Sequence, residues 1–202
     1  MITVVDYGAG NLRSLRAALE RLGAAVDVTS DPVTVERSRV MIVPGVGAAG
    51  PAMARLQAAG LAAAIRSAAG NGAHVLGICL GLQLLFDRSE EGDTECLGLL
   101  PGAVRRIDWA GTVPHMGWND VAPVNGGTLN DALPAVCYFA HTYIAEPAEA
   151  GDVVATTELD GRPFASAVAR GRVAAVQFHP ERSGPAGRAL LAALLRRADD
   201  AA

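Results

Sequence analysis

The segment 74–86, HVLGICLGLQLLF, places a cysteine where it could act as a nucleophile. Its apolar first half predicts a buried strand, which passes through Gly77-Ile78-Cys79-Leu80-Gly81 directly into a predicted helix. Glycines on both sides of a nucleophile permit a sharp turn that lifts the side chain clear of a sheet, and the amides that open a helix would stabilise a thiolate. A buried structural cysteine is the alternative, because cysteine is often buried. The flanking glycines favour the catalytic interpretation.

A base for this thiol is predicted at the end of another strand. The chain has four histidines, and His179 follows the apolar run 173–178 and precedes Pro180-Glu181. Side chains at strand ends converge on a cleft in open α/β sheets. Glu181 could accept the second imidazole N–H and stabilise the imidazolium formed when the sulfur loses its proton. Surface strand ends often carry such pairs, so this inference depends on the predicted strand–turn–helix around Cys79.

Acyl transfer at Cys79 would also need donors for a developing oxyanion. The backbone N–H of Leu80, next after the nucleophile, is one candidate, and the N–H of Val46 is the second. Val46 belongs to Pro44-Gly45-Val46-Gly47, which follows the predicted strand 40–43 and whose glycines let a peptide change orientation. A plain tight turn is the alternative interpretation of this segment.

The elements that must position these groups predict an α/β fold. In the first half, short β-branched runs at 2–5, 26–28, 40–43 and 74–78 alternate with helices at about 11–22, within 50–69 and from residue 80. This rhythm predicts a central, mostly parallel sheet flanked by helices. The second half predicts closely spaced, more antiparallel strands at about 103–107, 138–144, 152–159, 163–169 and 173–178, before a last helix at about 185–197.

Length and composition limit the classes of protein to which the chain can belong. Its 202 residues, half of them apolar, suffice for one large domain, so we predict a single domain over 1–202. A net charge of −4 argues against nucleic acid as a partner. All 17 basic residues are arginine, which excludes mechanisms that need a Schiff-base or P-loop lysine.

Cysteine usage and apolar runs predict a cytoplasmic protein. The three cysteines stand at wide spacing, which fits neither a disulfide framework nor a zinc site, so we predict no metal and no cofactor. The amino terminus lacks the basic segment of a signal peptide, and the apolar runs are far shorter than a bilayer span. Membrane association is therefore not expected.

These segments resemble the class I, or triad, glutamine amidotransferases, whose fold is flavodoxin-like. The resemblance rests on the elbow GICLGLQ at 77–83 and on FHPE at 178–181. Within that family, DYGAGNL at 6–12, PGVG at 44–47, PHMGWN at 114–119 and HTY at 141–143 are similar to the glutaminase subunits of imidazole glycerol phosphate synthase in histidine biosynthesis. Together the resemblance spans residues 4–183. It implies a Cys79–His179–Glu181 triad that hydrolyses glutamine to glutamate and ammonia.

The resemblance also implies groups that bind glutamine. Gln83 and Glu91 would face the α-amino end of the substrate, and Gly47, Thr142 and Tyr143 would supply backbone contacts. Gln83 also lies one helical turn after Cys79, which places both on one face of the predicted helix. Glu91 is equally compatible with a solvated loop acid.

A (β/α)₈-barrel cyclase is the partner that the resemblance implies, in a heterodimer that keeps ammonia away from water. The interface candidates are Asn11, Trp118, Tyr138 and Arg182. Arg182 stands where the family usually has lysine, and its planar fork is not equivalent to an ammonium. Core packing is the alternative for Trp118 and Tyr138. The alternative functions are a glutaminase for another acceptor synthase, a cysteine peptidase or γ-glutamyl hydrolase, and a non-catalytic regulatory subunit.

Overall fold

Strands and helices alternate through the first half of the chain. The computed structural model describes residues 1–109, 111–124 and 135–199. The first half contains β1 (Ile2–Val5), α1 (Leu12–Arg21), β2 (Val26–Thr29), α2 (Pro32–Glu36), β3 (Val40–Gly45), α3 (Ala49–Ala58), α4 (Leu61–Gly70), β4 (His74–Cys79) and α5 (Leu80–Leu84).

The second half is built mainly from strands. They are β5 (Phe86–Ser89), β6 (Thr94–Glu95), β7 (Leu100–Arg106), β8 (His115–Pro123), β9 (Ala135–His141), β10 (Tyr143–Pro147), β11 (Val153–Leu159), β12 (Arg162–Arg170) and β13 (Val173–Val176). Two short 3-10 turns, Ala150–Asp152 and Pro180–Arg182, and helix α6 (Gly184–Asp199) complete the described chain. No helix of the described residues is long and apolar enough to cross a membrane.

The strands form one mixed sheet. Its order is β2-β1-β3-β4-β13-β12-β10-β7-β5-β6, and the pairs from β2 to β13 are all parallel. From β13 to β12, β10 and β7 the pairing is antiparallel, and β11, β8 and β9 extend the sheet from β12 in the same manner. The predicted α/β fold, with a parallel first half and a more antiparallel second half, is confirmed.

Helices cover both faces of the parallel strands, because those strands are apolar on both sides. On one face α3 and α4 bury Leu56 and Ile65 against the sheet. On the other face α1 and α6 bury Leu19 and Leu190. With both faces covered, the carboxyl ends of β3, β4 and β13 remain as the open edge of this part of the sheet.

Two features of the second half differ from the sequence prediction. The single strand expected over 138–144 is wrong, because the chain changes partners at Thr142: β9 pairs with β8, whereas β10 pairs with β7 and β12. The segment 115–123, for which no strand was expected, is β8, nine residues long. Gly117 and the polar residues in this strand hide its alternating pattern.

The glycines of the elbow are required by close packing. Neither Gly77 nor Gly81 has a positive φ. A Cβ on Gly81 would collide with the carbonyl oxygen of Val43, and one on Gly77 would lie 2.8 Å from the amide nitrogen of Leu82. The glycines therefore permit the turn by letting the backbones of β3, β4 and α5 pack closely, and not by a positive φ of their own.

Replacing Gly81 with alanine should destabilise the fold by at least about 2 kcal/mol, because the added methyl group overpacks the contact with β3. The matched control is Gly70→Ala at the end of α4, where a Cβ meets nothing within 4 Å and φ is not positive. Thermal unfolding of both variants checks this. Equal melting temperatures for the two would contradict the assignment.

Candidate active site

Cys79 stands on a strained turn between β4 and α5. It is the last residue of β4 and the residue before the first turn of α5, with φ 54° and ψ −109°. A non-glycine residue in such a conformation costs about 1–3 kcal/mol and persists only where the surroundings enforce it. Here β3 pairs Gly45 with Cys79 on one side, and β13 pairs Val176 with Ile78 on the other. The thiol is only 5% exposed.

The helix that follows the nucleophile is short. α5 spans five residues, Leu80–Leu84, so the aligned peptide dipoles behind its first amides are few. Leu80 and Gln83 from this helix both line the same cleft as Cys79. The helix therefore contributes chiefly by placing these two residues in the cleft that contains the sulfur.

His179 and Glu181 meet Cys79 from the end of β13. Nδ1 of His179 lies 3.0 Å from Oε1 of Glu181, and both side chains are almost fully buried. Cys79 interacts with the same imidazole closely enough to raise its pKa, and its thiol donates to the carbonyl of Ala140 at 3.8 Å. The structure thus brings together the three side chains that the sequence analysis singled out, in the order thiol, imidazole, carboxylate.

The partners of His179 keep its imidazole protonated. Burial alone lowers the pKa of His179, but the hydrogen bonds and charges of Cys79 and Glu181 more than offset burial and raise this pKa to about 10. At neutral pH the ring therefore carries a proton next to the sulfur.

Ser183, which the sequence analysis missed, fixes the position of the turn that carries the base. Its hydroxyl donates to the carbonyl of His179 at 2.6 Å and accepts from the N–H of Tyr138 at 2.9 Å. The N–H of His179 in turn donates to the carbonyl of Tyr138 at 2.9 Å. These bonds tie β9 to the turn, through contacts that no local pattern around residue 183 indicates.

The triad opens into a cleft of about 300 Å³. All but two of the residues singled out from the sequence line it, and the exceptions are Trp118 and Tyr138. The structure adds Pro114, Met116, Ala140 and His141 to its walls. A larger groove of about 950 Å³ lies at the opposite ends of the parallel strands, near Met1 and His74, and contains none of the triad residues.

The segment after β3 forms one wall of the cleft. Val46 is 47% exposed and Gly47 has φ 98°, a conformation that favours glycine. Glu91, from the loop between β5 and β6, accepts from the N–H of Ala49 at 2.7 Å. It therefore caps the start of α3, where Ala48 has no side chain able to do so, while still facing the cleft.

Gln83 and His141, one of a buried pair of histidines, converge on the carbonyl of Tyr143. The amide of Gln83 donates to this carbonyl at 3.1 Å, and Nδ1 of His141 lies 2.9 Å from it. His141 Nε2 meets His115 Nδ1 at 2.9 Å, and His115 Nε2 meets the amide of Asn119 at 3.2 Å. Because a carbonyl only accepts, His141 must donate from Nδ1, and each next ring nitrogen then has a fixed role.

Both of these histidines are neutral. Burial, together with the nearby His115 and His179, lowers the pKa of His141 to about 3, although the bond to Tyr143 opposes this effect. Burial also lowers the pKa of His115. The site therefore contains one charged and two neutral imidazoles, and the charged ring is the one whose pKa Cys79 raises.

Next to the cleft, β8 and β9 present an apolar face to solvent. Trp118 is 59% exposed and Met116 is 65% exposed, so core packing is the wrong interpretation for Trp118. Tyr138 is half-buried, with its ring 6.1 Å from that of Trp118 and the guanidinium of Arg182 stacked 4.0 Å above it. Asn11, the fourth interface candidate, is exposed and caps α1 by accepting from the N–H of Ser14.

Comparison with known proteins identifies both a family model that matches the chain and individual relatives with similar sequences. A family model described as glutamine amidotransferase class-I matches residues 3–198. The imidazole glycerol phosphate synthase subunit HisH of Moorella thermoacetica is 49% identical over 189 residues, which cover 92% of this chain and 90% of that protein. The subunit of the same name from Xanthomonas oryzae is 45% identical over 194 residues, with 94% of each chain covered.

Solved structures share the fold at lower sequence identity. A glutamine amidotransferase crystal structure covers 98% of this chain, and all of its own chain is matched, with a TM-score of 0.80 and 22% identity. A glutamine amidotransferase from Thermotoga maritima has a TM-score of 0.69 and 16% identity, over 98% of this chain and 96% of its own. Likeness at this level of identity shows the architecture alone.

A pH titration of the histidine ring signals by NMR should separate the histidines of the site. His179 should stay protonated until the pH approaches its pKa of about 10, because Glu181 and Cys79 stabilise the imidazolium. His141 should stay neutral until the pH falls toward about 3, because burial disfavours its charge. Single replacements assign the signals. An ordinary titration of His179 near 6.5 would show that the pairing with Cys79 and Glu181 is absent in solution.

Proposed function

This chain belongs to the class I glutamine amidotransferases, and within them to the family of imidazole glycerol phosphate synthase HisH subunits, and we propose that Cys79, His179 and Glu181 perform its glutaminase chemistry. The observation that carries the proposal is that Cys79 shares one cleft with a buried imidazole whose pKa it raises and which Glu181 holds at 3.0 Å. A nucleophile, a base and an orienting carboxylate in this order are the requirements for covalent acyl transfer.

The first half-reaction forms a thioester. The thiolate of Cys79 attacks the side-chain carboxamide of glutamine, and a bond forms between sulfur and carbon. The imidazolium of His179 gives its proton to the departing nitrogen, the carbon–nitrogen bond breaks, and ammonia leaves. The raised pKa of His179 suits this step, because the proton is already in place before the substrate arrives.

The second half-reaction releases glutamate. Neutral His179 now takes a proton from water, which attacks the thioester, and the thiolate departs as its leaving group. In both steps the carbonyl oxygen gains negative charge, and the backbone amides of Leu80 and Val46 are the proposed donors. Both residues line the cleft beside the sulfur, which supports this assignment.

The remaining cleft residues are proposed to bind the rest of glutamine. Both hydrogens of the Gln83 amino group are used, by the carbonyl of Tyr143 and by Gln177, so its oxygen is left to accept from the substrate's α-ammonium group. Glu91 offers a carboxylate for the same group. Gly47, Thr142 and Tyr143 are proposed to contribute backbone contacts from the opposite walls.

The acceptor of the ammonia is proposed to be a cyclase subunit with a (β/α)₈-barrel fold, in a cytoplasmic heterodimer of histidine biosynthesis. The apolar face of β8 and β9 supports this proposal, because Met116 and Trp118 expose apolar area directly beside the cleft. Arg182 lines the cleft and also stacks on Tyr138, so it lies at the border between the two surfaces. Covering this face would let ammonia pass without meeting bulk water.

Glutamate release by the reconstituted complex tests the chemistry. Cys79→Ala should lower the rate at least about a thousandfold, because the covalent route is lost. Cys96→Ala, at another buried cysteine, is the matched control and should retain activity. In a strain that lacks the histidine-pathway glutaminase, the control should restore growth without histidine and the Cys79 variant should not. Growth supported by the Cys79 variant would instead indicate a non-catalytic subunit.

Partner dependence is measured in the same assay. We expect glutamate release to be slow for the chain alone and faster once the cyclase and its ribonucleotide ligand are added. Equal rates in the two conditions would remove the proposed coupling, although they would leave the glutaminase assignment in place.

Binding of the cyclase should depend on Trp118. Its replacement by alanine should raise the dissociation constant of the complex by about thirtyfold or more, since large aromatic anchors contribute about 2 kcal/mol or more at such interfaces. The matched control is Trp109→Ala, because that ring is half-buried elsewhere and donates to the carbonyl of Leu159. Isothermal titration calorimetry compares the two. Equal affinities would place the partner on another surface.

A further inference from the structure

Gln177 is a fully buried polar residue beside the nucleophile. It follows β13 directly, and because Val176 pairs with Ile78, it lies alongside Cys79 on the neighbouring strand. Its Nε2 lies 3.7 Å from the sulfur, within the range of hydrogen bonds to this larger atom. Its backbone N–H is already used by the carbonyl of Ser166, so the side chain alone is available to the site.

The orientation of its amide follows from the neighbouring groups. The carbonyl of Tyr143 can only accept, so the amino group of Gln83 must face it. That amino group also meets Gln177 at 3.2 Å, so the atom it meets must be an acceptor, Oε1. The amino group of Gln177 is thereby turned toward the sulfur, and the assignment rests on a backbone carbonyl that cannot change its role.

We propose that Gln177 is a further catalytic residue, which donates an N–H to the thiolate of Cys79 in both half-reactions. The proposal deepens the glutaminase function and rests on it. His179 gives its proton to the leaving nitrogen and regains one only from the attacking water, whereas an amide N–H does not titrate. Gln177 therefore remains a donor throughout both half-reactions, including the step at which the thiolate leaves and negative charge returns to sulfur.

The same amide connects substrate recognition to the nucleophile. Gln83 faces the cleft, donates to Gln177, and Gln177 donates to Cys79. Bonds in such a chain polarise one another in a water-poor interior, so an ammonium group bound by the oxygen of Gln83 would strengthen the bond at the sulfur. Among the described residues, Gln177 therefore connects the proposed glutamine site to the sulfur through side-chain hydrogen bonds.

Several titratable groups face the sulfur and must be separated from the effect of Gln177. His179 and Glu181 approach from the turn after β13, and Tyr7 from the loop after β1. Burial and then the charge of Cys79 raise the pKa of Tyr7, whose hydroxyl donates to the carbonyl of Pro44 at 2.7 Å. His141 approaches from the end of β9 and is neutral. None of them is changed by a substitution at residue 177.

The test is the rate at which iodoacetamide alkylates Cys79 in the full-length chain as a function of pH, with the modified cysteine located by mass spectrometry. Gln177→Met and Gln177→Leu each remove the donor without adding a titratable group. Each should raise the midpoint of the pH profile by about one pH unit, because the thiolate loses a charge-assisted hydrogen bond. The alkylation rate at neutral pH should fall about tenfold.

Ser166→Ala is the matched control, since this buried serine lies on the adjacent β12 and its hydroxyl bonds to none of the described residues. It should keep the wild-type profile, and thermal unfolding shows whether each variant is folded. Unchanged midpoints in both folded Gln177 variants would overturn the proposal while leaving the triad intact. A wild-type Cys79 that reacts at neutral pH no faster than a simple thiol would overturn the glutaminase mechanism itself.

Discussion

The close approach of Gly81 to the carbonyl of Val43 is the contact on which the site depends. Because a Cβ at residue 81 has no room, α5 can begin directly against β3 only with glycine there. The chain must then reverse between β4 and α5 within one residue, and Cys79 takes the unfavourable backbone conformation. Parallel neighbours on both sides hold it in that conformation. The strain is therefore carried by the nucleophile, while the stability that supports it comes from the packed strands around it.

Protonation in the site follows from which polar group each imidazole meets. His179 is paired with a carboxylate and a thiol, so its charge is stabilised in spite of burial. His141 and His115 meet a carbonyl, an amide and each other. Burial is therefore the largest effect on their pKa values, which it lowers, and both rings are neutral. Keeping a positive charge off His141 is useful to the triad, since a second cation near His179 would make its imidazolium harder to retain.

Local patterns were sufficient to predict the parallel half of the fold and the residues that meet at its edge. The elbow and the FHPE segment are short, contiguous signals, and a parallel sheet necessarily brings strand ends such as Cys79 and His179 to one side. The bends at Thr142 and the strand at 115–123 were not predictable, because they depend on which strands pair across the sheet. The same is true of Gln177 and Ser183, whose partners lie far away along the chain. The glycines were expected to permit the turn, but the close packing by which Gly77 and Gly81 do so was not predictable, since a sequence shows which residues are small and not which atoms lie against them.

Strand β8 serves two surfaces with alternate residues. His115 points inward to His141, and Asn119 bonds to His115 from the same side. Met116 and Trp118 point outward to solvent. Trp118 and Asn119 are consecutive residues of this strand, so the exposed indole and the amide end of the histidine network share one stretch of backbone. Through two imidazoles that amide is connected to the carbonyl of Tyr143, which also holds Gln83. The exposed face of β8 and the Tyr143 carbonyl beside the cleft are therefore joined by a continuous series of backbone and hydrogen-bonded groups.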